Sequence, residues 1–184
     1  MRALVILALV LALSGVDGLA APQAQDELKP GLVGEYYSFA QEIQEFPTVA
    51  AEKKPSLRRV DKEINFEATE GKFAGTDYED QIFVRWTGVL RVPADGKYTF
   101  FTESDDGSRV FIESKLVVDN GGLHAMEEKS GEIELKAGDH DLRVEYFENG
   151  GTAGCKLSWE AKGIEKKILP ASALFHKKDK ELDR

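Results

Sequence analysis

Lys97-Tyr-Thr-Phe-Phe-Thr-Glu-Ser-Asp-Asp-Gly-Ser-Arg-Val-Phe-Ile-Glu113 is the stretch on which the reading of this chain turns. Tyr98, Phe100 and Thr102 alternate with Lys97, Thr99 and Phe101, which is the period of a half-buried strand, and Val110 with Ile112 resumes that period after Gly107. Between the two strands stands Ser104-Asp105-Asp106-Gly107. Neighbouring side chains on a regular strand point to opposite faces, so Asp105 and Asp106 can aim at one point only if the backbone between them leaves the pleat. If it does, the pair is a cation site. If it does not, Asp-Gly is an ordinary hairpin turn.

The same alternation extends on both sides. Val84, Trp86, Gly88 and Leu90 share one face while Arg85, Thr87 and Arg91 share the other, as in an antiparallel strand with one solvated side. Leu116 with Val118, Ile133 with Leu135, Leu142 with Val144 and Tyr146, and Leu157 with Trp159 continue it. Turn residues fall between them at Pro93-Ala-Asp-Gly96, Asn120-Gly121-Gly122, Ala137-Gly138-Asp139 and Asn149-Gly150-Gly151. Gly31 to Tyr37 reads as the first strand, and residues 38–80 as loops, short strands and at most a helical turn. Short strands at a spacing of roughly ten residues, without a long helical stripe, predict an all-β fold: an antiparallel β-sandwich or barrel, jelly-roll-like, with little helix.

Met1-Arg2, the apolar run Ala3 to Leu13 and small residues through Ala20 read as a signal peptide over residues 1–20, followed by a flexible leader over 21–30, the β domain over 31–176 and a charged tail over 177–184. The apolar run is too short to span a bilayer, so the expected product is secreted, extracellular or periplasmic, with no membrane insertion. Cys155 is the single cysteine; no internal disulfide is possible, and it reads as a small buried apolar residue. The formal net charge of −9 disfavours nucleic acid and anionic membranes as partners and suits cations and neutral glycans.

Phe83-Val-Arg-Trp-Thr-Gly88, Gly96-Lys-Tyr-Thr-Phe100, Ser104-Asp-Asp-Gly-Ser-Arg-Val-Phe-Ile112, Leu116-Val-Val-Asp-Asn120, Val144-Glu-Tyr-Phe-Glu-Asn-Gly-Gly151 and Leu157-Ser-Trp159 occur in that order. As an ordered set they resemble the protective antigen fourteen domain, a β-sandwich of toxins, yeast flocculin adhesins and some β-glucosidases. The resemblance implies carbohydrate binding in several members. In the adhesin branch it implies a calcium ion held by two adjacent aspartates across a cis peptide, the ion in turn holding vicinal hydroxyls of a sugar. By position those aspartates are Asp105 and Asp106, and the loop with Asn149, Gly150 and Gly151 corresponds to the one that adds an asparagine and backbone carbonyls. The long insertion that would shape a sugar pocket is missing, so the sugar is not implied.

Calcium accepts six to eight oxygens from carboxylates, amides, carbonyls and water, and a diol can replace water in such a shell. Other candidates have plainer readings. Asp119, Asn120 and His124 form a turn cluster, His140 sits in an exposed turn, and Trp86 and Trp159 fall on core faces rather than on a sugar-stacking surface. Tyr146 and Phe147 point to opposite faces, so that one of them approaches the binding loop. Glu145 and Glu148 can be imagined as the acid and base of a glycosidase, but nothing in their spacing constrains them to that role. The expectation is a secreted, non-catalytic, calcium-dependent carbohydrate-binding module, not an enzyme. Its alternative is a structural or protein-interaction β-sandwich with neither sugar nor ion.

Overall fold

The alternating segments become paired strands in the computed structural model, which describes residues 27–183. The expected signal peptide and most of the leader lie outside the described residues. In chain order the strands are β1 (Leu28–Pro30), β2 (Leu32–Ser38), β3 (Leu57–Asp61), β4 (Asn65–Thr69), β5 (Ile82–Val92), β6 (Gly96–Asp105), β7 (Ser108–Ile112), β8 (Lys115–Asn120), β9 (Glu127–Leu135), β10 (Gly138–Glu148), β11 (Ala153–Ala161), β12 (Ile164–Ile168) and β13 (Leu174–Lys177). Among the described residues the helical pieces are short 3-10 turns at Phe73–Gly75 and Ala171–Ala173.

One sheet runs β1-β13-β5-β10-β7-β8, with β2 on β5 and β3 on β2; the other runs β12-β11-β6-β9, with β4 on β11. The pairings are antiparallel. β5 changes neighbour at Gly88: Thr87 is opposite Val33 of β2, and Val89 is opposite Phe175 of β13. A Cβ at Gly88 would lie 2.3 Å from the Phe175 carbonyl oxygen, so only glycine fits at the switch. β8 and β9, from different sheets, close one side of the sandwich, where a Cβ at Gly131 would fall 1.7 Å from the Val117 oxygen.

The inward faces supply the core. Trp86, Tyr146, Phe73 and Phe66 form one group of rings, and Tyr98, Phe100 and Trp159 another. Trp86 and Trp159 are buried, as their strand positions required. A smaller cluster of Tyr37, Ile43, Phe83 and Phe147 lies on the other face of the larger sheet, packed by Phe39, Phe46 and Val49. Phe46 meets the Phe147 ring edge-on at 4.9 Å.

The structure departs from the sequence reading in four places. Leu116 does not share the buried face of Val118: a bulge pairs Val110 with Val118 but Phe111 with Leu116, which leaves Leu116 exposed. The chain joins the sheet inside the expected leader, because β1 pairs with β13 and the Lys178 N–H donates to the Glu27 carbonyl at 2.8 Å. The expected solvated tail folds back, with Asp179 bonded to Arg58 at 2.5 Å and Asp183 3.2 Å from the buried His176 ring. His140 belongs to β10 rather than to an exposed turn, and its largely covered ring lies 2.7 Å from Glu113 Oε1.

Asp61 anchors the other end of β3. Its Oδ2 accepts from Tyr36 Oη at 2.6 Å and from Trp86 Nε1 at 2.8 Å, while its Oδ1 accepts from Arg59 Nε at 2.7 Å. The carboxylate is thus buried but fully satisfied. Asp61→Ala would leave two buried donors without an acceptor. The expected loss is about 3 kcal/mol, on the order of 10 °C in Tm by calorimetry; a change within about 1 °C would show that the network does not stabilise the fold.

Candidate metal centre

Asp105 is the last residue of β6 and Ser108 the first of β7. β6 pairs with β9 and β11 in the smaller sheet, whereas β7 pairs with β8 and β10 in the larger one. Asp105-Asp106-Gly107 is therefore the passage between sheets and not a hairpin turn. The Asp105–Asp106 peptide is cis.

Several contacts hold the passage in place. Tyr146 Oη donates to the Asp105 carbonyl at 2.7 Å, and the Phe147 N–H donates to the Gly107 carbonyl at 2.9 Å. Tyr146 and Phe147, on opposite faces of β10, thus both reach this segment. A Cβ at Gly107 would lie 2.4 Å from Phe147 Cε1, so the ring occupies the space a side chain would need. Beneath Asp105, the Ser104 and Ser108 hydroxyls are 2.7 Å apart, and the wholly buried Asn120 donates from Nδ2 to Ser104 Oγ at 3.2 Å. Asn120 Oδ1 is buried without a hydrogen-bond partner.

Asp105, Asp106 and Glu148 converge, with one carboxylate oxygen from each lying within 4.8 Å of the others. Asp106 Oδ1 accepts from the His124 N–H at 2.9 Å, and Oδ2 accepts from the Asn149 N–H at 3.0 Å. Glu148 Oε2 accepts from the Asp106 N–H at 2.9 Å, and Oε1 accepts from the Gly150 N–H at 2.6 Å. Glu148 thereby ties the sheet passage to the loop that follows β10. His124 serves through its main chain; its ring nitrogens lie 3.0 Å from the Ala125 carbonyl and 3.2 Å from the Asn120 carbonyl.

The loop residues named from sequence lie at the site but act through their backbones. The Asn149 side-chain oxygen accepts from the Ile43 N–H at 2.9 Å, and its carbonyl accepts from Gln81 Nε2 at 2.7 Å. The Gly151 N–H donates to Asp80 at 3.1 Å. Glu148 was the residue missed as a member of this group. Its signal was available, because Val144, Tyr146 and Glu148 form one inward-facing row, and an acid continuing an apolar row needs a partner. The same alternation removes the imagined glycosidase pair. Glu145 faces the other way, where it accepts from Arg143 at 2.7 Å and Arg85 at 3.2 Å.

Burial first, then the negative charge of Asp106, pushes the Glu148 carboxyl up to about 8. Asp105 is raised from its ordinary value by the same two causes in the same order. Among the described residues no lysine or arginine bonds these three carboxylates, in contrast to Asp61 with its Arg59. A divalent cation is the charge that fits three hard oxygens converging in this way, and calcium is bound by such donors.

Comparisons with known proteins give a family model over most of the described residues and relatives that carry other names. The model described as the PA14 domain matches residues 28–173. The "Anti-sigma-I factor RsgI3" of Acetivibrio thermocellus is 34% identical over 146 residues, covering 79% of this chain and 21% of that protein. A solved "anti-sigma factor domain-containing protein from Clostridium clariflavum" superposes with a TM-score of 0.67 at 31% identity, over 83% of this chain and 49% of that one. The chain thus spans about a fifth to a half of these relatives' lengths. The "PA14 sugar-binding domain from RTX adhesin" shares the fold, with a TM-score of 0.68 at 22% identity over 80% of this chain and 98% of that one.

A carboxyl whose value is raised by folding stabilises the fold in its protonated form. For Glu148 that contribution is complete below about 4.5 and is lost as the pH rises through about 8. In chelator, the Tm should fall from about pH 5 to about pH 8, and Glu148→Gln should flatten the slope. The variant separates Glu148 from His140, whose raised value has the same sign. An equal slope in the variant would show that Glu148 is not the group responsible.

Proposed function

Because this chain belongs to the PA14 domain family, we propose that it is a secreted, non-catalytic carbohydrate-binding module whose ligand affinity depends on calcium. The observation that carries this reading is the convergence of Asp105, Asp106 and Glu148 at one end of the sandwich, with no lysine or arginine bonded to them among the described residues. Asp105, Asp106 and Glu148 would hold the ion, and Asn149 and Gly150 orient two of those carboxylates through their N–H groups. When bound, calcium offers coordination positions that neighbouring hydroxyls of a sugar can take. The chain's own part is to keep the carboxylates together before the ion arrives. It does so with main-chain donors, which cannot rotate away as side chains can. Secretion is supported by the charged and apolar start of the sequence and by small residues up to Ala20.

A protein-interaction domain with neither sugar nor ion is the second reading. It draws on the anti-sigma names of two relatives, of which this chain matches only part.

Titration calorimetry separates the two. Calcium should bind with a Kd on the order of 0.1 to 1 mM, raise the Tm by several degrees at saturation, and be required for glycan binding on an array. Asp106→Ala should abolish all three effects. Glycan binding that persists in chelator and in Asp106→Ala would remove the ion from the mechanism. A protein that binds neither calcium nor any glycan would favour the second reading.

A further inference from the structure

Asn-Gly-Gly occurs twice in this chain, at 120–122 and at 149–151. An asparagine followed by glycine has a reaction open to it without any partner. The next main-chain nitrogen can attack the side-chain amide carbon and close a five-membered ring, because glycine puts no Cβ in the way. The two copies are alike as sequence. Their surroundings differ at each of the reacting atoms.

The Asn149 amide oxygen accepts from the Ile43 N–H at 2.9 Å, so a main-chain donor sits where negative charge develops when the amide is attacked. The Gly150 N–H, whose nitrogen is the nucleophile, donates to Glu148 Oε1 at 2.6 Å, so an acceptor for its proton is in contact. Gln81 Nε2 holds the Asn149 carbonyl at 2.7 Å and fixes the other edge of the same peptide. Among the described residues nothing accepts from Asn149 Nδ2, the leaving nitrogen. Gly150 is exposed, and a Cβ there would meet nothing within 4 Å, so water reaches the loop.

Asn120 is the reverse case. It is wholly buried, its Oδ1 has no donor, and its Nδ2 donates to Ser104 Oγ at 3.2 Å and to the Glu127 carbonyl at 2.9 Å. The amide is not polarised and its leaving nitrogen is held.

We propose that Asn149-Gly150 is a site of self-modification, where Asn149 converts to aspartate and isoaspartate with Glu148 as the base, while Asn120-Gly121 stays intact. The Gly150 nitrogen bonds to Asn149 Cγ as its proton passes to Glu148 Oε1. The Cγ–Nδ2 bond then breaks, the proton returns to Nδ2, and ammonia leaves a succinimide. Water opens that ring at either carbonyl, so the net change is ammonia lost and water gained, with no oxidant or cofactor. The isoaspartyl product adds a methylene to the main chain between the Asn149 N–H that holds Asp106 and the Gly150 N–H that holds Glu148. The conversion therefore acts on the acidic centre, and it depends on neither ion nor sugar.

The test ages the full chain in chelator at a pH above the Glu148 value of about 8, beside the same chain unfolded in guanidinium at the same pH. Peptide mass mapping reads the loss of each amide. In the unfolded chain both asparagines should convert at similar rates. In the folded chain Asn149 should convert at least as fast as it does unfolded, and Asn120 about tenfold slower or more, since it must first be exposed. Glu148→Gln should slow Asn149 in the folded chain about tenfold or more and leave the unfolded rates unchanged. Gly150→Ala, for which the loop has room, should slow Asn149 and leave Asn120 as it was. An Asn149 amide kept by the folded chain while the unfolded chain loses it would overturn the proposal, as would equal loss at the two asparagines in the folded chain. An unchanged Asn149 rate in either variant would overturn it too.

Discussion

Asp105 is paired with Gly154 in one sheet, and Ser108 with Tyr146 and Asn120 in the other. Packed sheets lie about 10 Å apart, and three extended residues reach about 10 Å, so this passage has almost no slack. Its side chains cannot drift toward solvent as those of a long loop would. The Tyr146 hydroxyl and the Phe147 N–H grip it from β10, and the Phe147 ring excludes any side chain at Gly107. The same strand then delivers Glu148 to the Asp106 N–H. The packing that joins the sheets is therefore also what assembles the acidic group.

Two buried acidic centres in this molecule show opposite solutions to one electrostatic problem. Asp61 sits against Arg59, Tyr36 and Trp86 and has every oxygen satisfied by donors from its own surroundings. Such a centre is complete as folded. Asp105, Asp106 and Glu148 receive only main-chain N–H groups and face one another, and burial and mutual repulsion raise Glu148 and Asp105. An arrangement that holds negative charge together without an internal cation is suited to an external one. The surrounding loops at residues 40–49, 76–82 and 121–126 carry further acids and no lysine or arginine.

Much of the architecture was legible along the chain because a sheet with one buried face writes its period into the sequence. Val84, Trp86 and Leu90, Tyr98 and Phe100, and Leu142, Val144 and Tyr146 all took the inward positions that alternation assigned them. The bulge opposite Val110 broke the rule locally, and Leu116 turned outward because one extra residue reverses every later face. Asp179 and Asp183 looked like part of a charged tail, since a short charged segment carries no mark of the sheet edge it docks on. Glu148 could have been placed by its row on β10. Asn149 was found as a neighbour of the site, but its backbone role depends on Ile43, 106 residues away.

Residue order alone determined the strands, their inward faces and the ordered motifs of the family, because these depend on local period and turn chemistry. Whether Asp105 and Asp106 formed a turn or a converging pair depended on which sheet each flanking strand would join. That choice is made by partners far along the chain, β9 and β11 for one strand and β8 and β10 for the other. Hydrogen-bonded pairing between distant segments leaves no trace in the spacing of neighbours, so only the tertiary structure could turn two adjacent acids and a third, 42 residues from Asp106, into one centre.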